Sequence, residues 1–302
     1  VTTAGAVVQI VRLAFGVHNT RPHAGSVGAR LLALGYDVRS VERFDAWREF
    51  TGFRVGTGDG PMFAKVLHRD SWASFLPIRL YRALRFRDVA EQGPFRSLRS
   101  AVEHEALCAL KAFSDGVPTA RLAAMTTLDG GAFLLAFEAG VFSPLDTLAP
   151  ERRTPELTER LWGAVAQLQR SRIVHRRLNG SSVLVDADGS PLIVEFGDAS
   201  LGVVGPELAT DVAEVLAVTA VDIGAEPAVS AAIDALGPDA VAAALPRLQP
   251  LALTRRTRER VRRTTTLDEL RAEVERRTGV SDVPIAELQR VKPRTLVTIA
   301  AL

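Results

Sequence analysis

Two groups of residues in this 302-residue chain have side chains suited to chemistry. The first centres on Lys65. Of 37 basic residues only three are lysines, Lys65, Lys111 and Lys292, and the rest are arginines. Arginine content of this kind reads as coding bias, so a lysine stands out where an arginine does not. Lys65 sits just before Val66 in the apolar run Met62–Leu67. The second group lies in Ile173–Ala199, IVHRRLNGSSVLVDADGSPLIVEFGDA. It gathers an imidazole (His175), two guanidiniums (Arg176 and Arg177), a hydroxyl (Ser182) and two carboxylates (Glu195 and Asp198). Imidazole and carboxylate groups exchange protons and hold metal ions. A guanidinium takes no proton near neutral pH, but it pairs with anions.

The second group needs a frame to hold it. Val183-Leu184-Val185 and Pro191–Phe196 are short apolar strands, and Asp186-Ala187-Asp188-Gly189 between them predicts a hairpin turn. The hairpin displays His175–Ser182 at one end and Glu195–Asp198 at the other. For the first group, Tyr36–Phe44, Glu49–Gly56 and Met62–Leu67 predict a three-stranded antiparallel meander. The run Gly56-Thr57-Gly58-Asp59-Gly60 turns between its last two strands. Ala101–Phe113 has helical spacing, with Val102, Ala106, Leu110 and Phe113 on one side and Gly116-Val117-Pro118 as its stop. Ser26–Gly35 predicts a short helix and Ala132–Glu138 a buried strand. Pro155–Arg172, Glu207–Ala220, Glu226–Leu236, Asp239–Leu245 and Thr254–Arg277 predict helices. Strands crowd the first half and helices the second, which is an α+β arrangement.

On these residues the chain resembles the protein-kinase superfamily. The pattern H-R-D-L-x-x-x-N followed by D-F-G aligns with His175-Arg176-Arg177-Leu178, Ser182 and Glu195-Phe196-Gly197. Phe63-Ala64-Lys65-Val66 looks like the lysine-bearing strand, and Glu105 looks like its partner on the helix, with Glu103 as the rival. Asp211 in Ala209-Thr210-Asp211-Val212-Ala213 resembles the aspartate that braces the catalytic loop in aminoglycoside-phosphotransferase-like kinases. The stretch from Glu195 to Asp211 is too short for a protein-kinase activation segment, and no A-P-E follows. The resemblance covers about Tyr36 to Leu253. It implies a two-lobed kinase-like fold, with a small antiparallel-sheet lobe and a larger helical lobe. The implied divisions are an N-terminal helical segment at 1–35, the small lobe at 36–140, the large lobe at 141–253 and a charged helical tail at 254–302.

The departures matter more than the matches. Arg177 stands at the catalytic aspartate's position, Ser182 at the magnesium-binding asparagine's and Glu195 at the magnesium-binding aspartate's. No G-x-G-x-x-G lies between the first two strands. Losing the base alone costs roughly 10²–10⁴-fold in rate. A guanidinium about 4 Å from a metal ion adds repulsion of roughly 4 kcal/mol per unit charge pair at an effective dielectric near 20. Ordinary kinase activity is therefore not expected. Nucleotide binding remains open, because the resemblance leaves Lys65, Glu105 and Glu195 to pair with phosphates and metal. ATP and magnesium are thus expected to bind weakly if at all, with Glu195 as the metal's carboxylate. His175 is expected as a buried scaffold residue, Asp198 and Asp211 as acceptors for loop N–H groups, and Cys108 as a small core residue.

A narrower resemblance is to the cytoplasmic kinase-like module before the membrane region of actinobacterial lysylphosphatidylglycerol-synthase/flippase-like proteins. Its marks are V-E-H-E-A-L at Val102–Leu107, H-x-R-L at His175–Leu178, F-G-D-A-S at Phe196–Ser200 and P-R-T-L at Pro293–Leu296. It implies a pseudokinase at the cytoplasmic face of the plasma membrane, regulating or docking to a transmembrane region of its own or of a partner. The arginine runs Arg79–Arg99 and Arg255–Arg263 read as solvated helix faces or as contacts for anionic lipid headgroups. Two other functions stay open: an active atypical phosphotransferase acting on a small molecule or lipid, and an interaction domain without a nucleotide site.

Composition agrees with a folded chain: 47% of residues are hydrophobic, 24% are charged, and the net charge is +2. That balance is too mild to argue for a nucleic-acid partner, and none is expected. One cysteine excludes a disulfide framework. No stretch reaches the ~18–20 apolar residues of a membrane helix. Ala4–Val17 reads as an amphipathic helix. Thr295–Leu302, behind Arg290, Lys292 and Arg294, reads either as a packed terminal helix or as the start of a membrane span.

Overall fold

The computed structural model describes residues 23–44, 50–68, 97–264, 267–281 and 283–287. Ala4–Val17, most of the arginine-rich insertion after Ser71, and the basic and apolar run from Arg290 to Leu302 lie outside the described residues. The architecture is α+β, in two compact units. The described residues up to 106, with 121–140, form the first; 107–120 and 141–287 form the second.

The first unit begins with helix α1 (Ala24–Ala33), which ends before Gly35. Strands β1 (Val38–Phe44), β2 (Thr51–Thr57) and β3 (Gly60–Leu67) follow as the expected meander. Helix α2 (Leu98–Ser114) comes next, then β4 (Arg121–Thr127) and β5 (Phe133–Glu138). The sheet is antiparallel throughout, in the order β1-β2-β3-β5-β4. Strand β4 has no counterpart in the sequence reading. It is a half-exposed edge strand of small and polar residues, RLAAMTT, without the apolar alternation that marks a strand.

Alternation of side chains along a strand gives the sheet two faces. Phe53 and Val55 of β2, Met62, Ala64 and Val66 of β3, and Leu134 and Ala136 of β5 join Val27 and Leu31 of α1 in one core. Leu67 and Leu135 turn the other way, with Phe63 packed beside them, to meet Leu98, Val102 and Ala106 of α2. Period two places Lys65 on that second face. The segment set apart by sequence as 1–35 therefore contributes α1 to one side of the sheet.

In the second unit, α3 (Pro155–Arg170) starts at the N-cap Thr154, whose hydroxyl accepts from Leu157 N–H, and buries Leu157, Leu161, Trp162, Val165 and Leu168. Helices α4 (Ala209–Ile223), α5 (Ala225–Leu236) and α6 (Pro238–Ala242) follow, then α7 (Arg255–Thr264) and α8 (Leu267–Thr278). Nearly all of α4 is buried, and it packs on α3, α5, α7 and α8. Of the charged tail expected at 254–302, the described residues include two helices tied to this core. Glu214 of α4 is buried at the start of α7, where Thr254 N–H, Thr254 Oγ1 and Thr257 Oγ1 donate to its carboxylate. Several guanidiniums of α7 are also committed: Arg256 pairs with Asp146, Arg260 with Asp222 and Arg255 with Glu259. No described helix is long and apolar enough to cross a membrane.

Short strands complete the second unit. Strands β6 (Ser143–Pro144), β8 (Val183–Val185) and β9 (Pro191–Ile193) form one antiparallel sheet. A separate pair is formed by β7 (Ile173–Val174) and β10 (Ser200–Leu201). The β8–β9 hairpin turns where expected. Asp186 Oδ1 accepts from the N–H groups of Asp188 and Ser190, and Gly189 takes φ +75°.

Candidate functional site

On the inner face of the first unit's sheet, Lys65 and Glu105 meet. Lys65 Nζ donates to Glu105 Oε1 at 2.8 Å and to Oε2 at 3.0 Å, with the two side chains only 9% and 5% exposed. The ammonium also stands 4.3 Å from the centroid of the Phe50 ring. Period two on β3 and the placing of Glu105 between Val102 and Ala106 on α2 bring the groups together. Glu103, the rival, lies on the outer side of the helix and pairs with Arg99 at 2.7 Å.

In the second unit, the loop 175–182 joins β7 to β8, and 194–199 joins β9 to β10. His175 is fully buried. Its Nε2 lies 2.9 Å from Val194 O, and its ring packs edge-on to Phe196. A carbonyl only accepts, so Nε2 carries the proton and donates. Burial, with the nearby positive charge of Arg177, lowers the His175 pKa to about 4, so the ring is neutral at pH 7. This is the scaffold role expected of it.

Asp211, near the start of α4, braces the loop. His175 N–H donates to its Oδ2 at 2.5 Å and Arg176 N–H to its Oδ1 at 2.7 Å. Two successive amides converge on one carboxylate because Arg176 adopts a left-handed backbone, φ +66°. Burial raises the Asp211 pKa to about 7, against the pull of the two amide bonds. The sequence names Arg176 in the motif and gives it no role of its own. Its guanidinium donates to Glu207 Oε2 at 2.6 Å and Ser200 Oγ at 3.2 Å, stitching the loop to β10 and the turn before α4. Among the described residues only Arg172, Arg176 and Glu195 are non-glycines with positive φ, and all three border this substructure. Such strain, of order 1–3 kcal/mol each, persists where surroundings over-determine it and clusters at functional sites.

Ser182 is buried and turned into the loop. Its hydroxyl lies 2.6 Å from Arg177 O and 3.0 Å from Asn179 O, and accepts from Asn179 N–H at 3.0 Å. Asn179 in turn accepts from Ser181 N–H and Oγ. The Asn179-Gly180 pair is a turn signal that could have marked this corner. Gly180 allows close approach: a Cβ there would lie 2.8 Å from Asp146 Cβ, and Asp146 N–H donates to Gly180 O at 3.0 Å.

Arg177 NH1 lies 3.3 Å from Asp198 Oδ2, an ion pair about one-third exposed. Glu195 is half-buried, in left-handed backbone just before the turn Phe196–Asp198. Asp198 thus partners the Arg177 side chain, where an acceptor role for loop N–H groups was expected. Cys108 is buried in α2. Among the described residues, no three His, Cys, Asp or Glu side chains converge as a metal site. The donor set suits a magnesium ion poorly: the serine hydroxyl is committed to the loop and a guanidinium lies on Asp198. No known protein family matches the chain, and no curated protein does.

Proposed function

We propose that the chain is a kinase-like module without phosphotransfer activity that binds a nucleotide or related anion and serves a regulatory or docking role. One observation carries the proposal. At the end of the buried His175–Asp211 scaffold, where phosphotransfer needs a proton acceptor, stands the guanidinium of Arg177, ion-paired with Asp198. The frame supports the kinase-like part of the reading: a five-stranded antiparallel sheet, a helix between its third and fourth strands, and a buried lysine–glutamate pair joining strand to helix. Membrane attachment to a lipid-flippase- or transporter-like region comes from the resemblance of Val102–Leu107 and Phe196–Ser200 to such modules.

The test is a thermal-shift titration with ATP. The expected result is a rise in Tm, smaller for Lys65→Ala measured against its own ligand-free baseline, with no transfer of γ-phosphate label. Label transfer abolished by Glu195→Ala overturns the loss of activity. Absence of any nucleotide shift overturns ligand binding and leaves an interaction domain. Sedimentation with anionic-lipid vesicles tests the docking role: a chain that stays in the supernatant at low salt has no headgroup contact.

A further inference from the structure

Magnesium in phosphotransfer does two things. It neutralises phosphate charge, and it is itself held by carboxylate and amide oxygens. The 175–182 loop and the 194–199 segment provide the first function by another means and keep only part of the second, the Glu195 carboxylate, with Ser182 where an amide would stand. Ser182 Oγ is used inside the loop, between Arg177 O, Asn179 O and Asn179 N–H. Asp198 faces a guanidinium at 3.3 Å. The loop also needs no metal to hold its shape. The Asp211 carboxylate fixes its start through two amides, Ser182 fixes its end, and the Arg176 guanidinium ties its middle to Ser200 and Glu207. Arg177 is then a permanent positive charge on a rigid mount. Its planar fork of N–H donors matches the geometry of phosphate oxygens. One group that shares that charge, Asp198, does so in a pair more than one-third exposed, where ion pairing is weak and a phosphate competes readily.

We propose that this loop takes a polyphosphate anion with Arg177 as its counter-charge, so that binding is independent of divalent metal. The inference rests on the nucleotide reading above and deepens it. A metal ion brought in with the ligand meets the Arg177 cation, with Glu195 but no amide to complete a clasp, and adds little to affinity.

Calorimetric titration of the whole chain with ATP, once in excess EDTA and once in magnesium, decides the matter, with adenosine as the phosphate-free control. The expected result is an ATP affinity in EDTA within about threefold of that in magnesium. Arg177→Gln should weaken ATP binding in EDTA about tenfold or more while leaving adenosine binding unchanged. Asp198→Asn, which removes the competing carboxylate and does not depend on the first variant folding, should strengthen it. An affinity that collapses in EDTA and returns with magnesium overturns the inference and leaves the nucleotide reading standing. Equal EDTA affinities for the wild type, Arg177→Gln and Asp198→Asn also overturn it. Heat from neither titration overturns the nucleotide reading and the inference with it.

Discussion

The two ion pairs, one in each unit, are built to opposite standards. Lys65 and Glu105 make a two-pronged bond at 2.8 and 3.0 Å, closed off between the sheet and α2. Arg177 and Asp198 meet at 3.3 Å with over a third of each side chain in solvent. Burying a charge pair costs several kcal/mol per ion in desolvation unless geometry returns it. An exposed pair costs and contributes little. The first is therefore integral to its unit's stability, whereas the second adds little to the stability of its own unit. The scaffold behind Arg177, in contrast to Arg177 itself, is as tightly bonded as the lysine pair. The loop is held in shape by bonds that do not involve the Arg177 guanidinium.

The largest effect expected from this contrast is at Lys65. Lys65→Met leaves the Glu105 carboxylate buried opposite Leu98, Val102 and the phenylalanine rings, and should destabilise the first unit by about 3–5 kcal/mol. Adding Glu105→Leu removes the orphaned charge and should restore most of that loss. Denaturant unfolding of the single and double variants measures it. A single variant within about 1 kcal/mol of wild type would mean the pair is far wetter than its burial implies.

Next in size is a pH effect within the second unit's scaffold. The folded pKa of His175 is depressed from 6.5 to about 4 by burial, so its contribution is present above pH 6.5 and is lost as pH falls towards 4. The pKa of Asp211 is raised from 3.8 to about 7, so its contribution is present below pH 4 and is lost as pH rises through 7. Between pH 4 and 6.5 the two slopes oppose each other, each about 1.4 kcal/mol per pH unit, or roughly 3 kcal/mol across the window. His175→Gln should therefore unmask a fall in stability with rising pH, and Asp211→Asn a rise, relative to the flatter wild type. Unfolding free energies at half-unit steps test the signs whatever the absolute loss in either variant. Parallel profiles for all three proteins would remove both assignments.

How far the sequence disclosed this arrangement depended on whether the signal was local. Lys65 was legible because an isolated lysine on an apolar strand has few explanations, and Glu105 because α2 presents it on the side of Val102 and Ala106. The hairpin Val183–Ile193 was legible from its Asp-Gly turn. Strand β4 was not, because an edge strand needs no apolar alternation and Arg121–Thr127 shows none. Arg176 was overlooked because its role rests on a left-handed backbone angle and on Glu207 and Ser200, which are remote in sequence. Glu103 stayed a rival to Glu105 until the fold placed Glu105 against Lys65 and Glu103 against Arg99. Ser182 was read as a weakened metal ligand from its alignment alone. Nothing in its neighbours announced that the hydroxyl closes the loop on itself.

That closure predicts a smaller effect. Ser182→Ala removes the bond to the 177–179 backbone and leaves Asn179 N–H without its acceptor in a buried corner, so about 1–3 kcal/mol should be lost. Ser182→Asn, the residue that a metal-binding loop of this type would carry, should not recover it, because the larger side chain does not fit a site that is 1% exposed. Recovery by asparagine, together with a gain of magnesium dependence in ATP binding, would show that the loop is a metal site with one ligand missing.

The smallest stability effect should come from Arg177, the residue on which the proposed anion binding rests. Arg177→Gln breaks a pair that is open to solvent on both sides, and exposed pairs contribute between 0 and about 1 kcal/mol. Removing Arg177 also removes a positive charge that depresses the His175 pKa, so the imidazole's pKa should rise while the fold stays intact. Two-dimensional NMR of the imidazole, titrated downward from pH 7, reads that shift directly. A stable Arg177→Gln chain with a raised His175 pKa and weakened polyphosphate binding separates charge from structure: the arginine is then there for what it attracts. A loss of several kcal/mol in the same variant would instead make Arg177 a structural tie like Arg176, and the contrast between the two ion pairs would vanish.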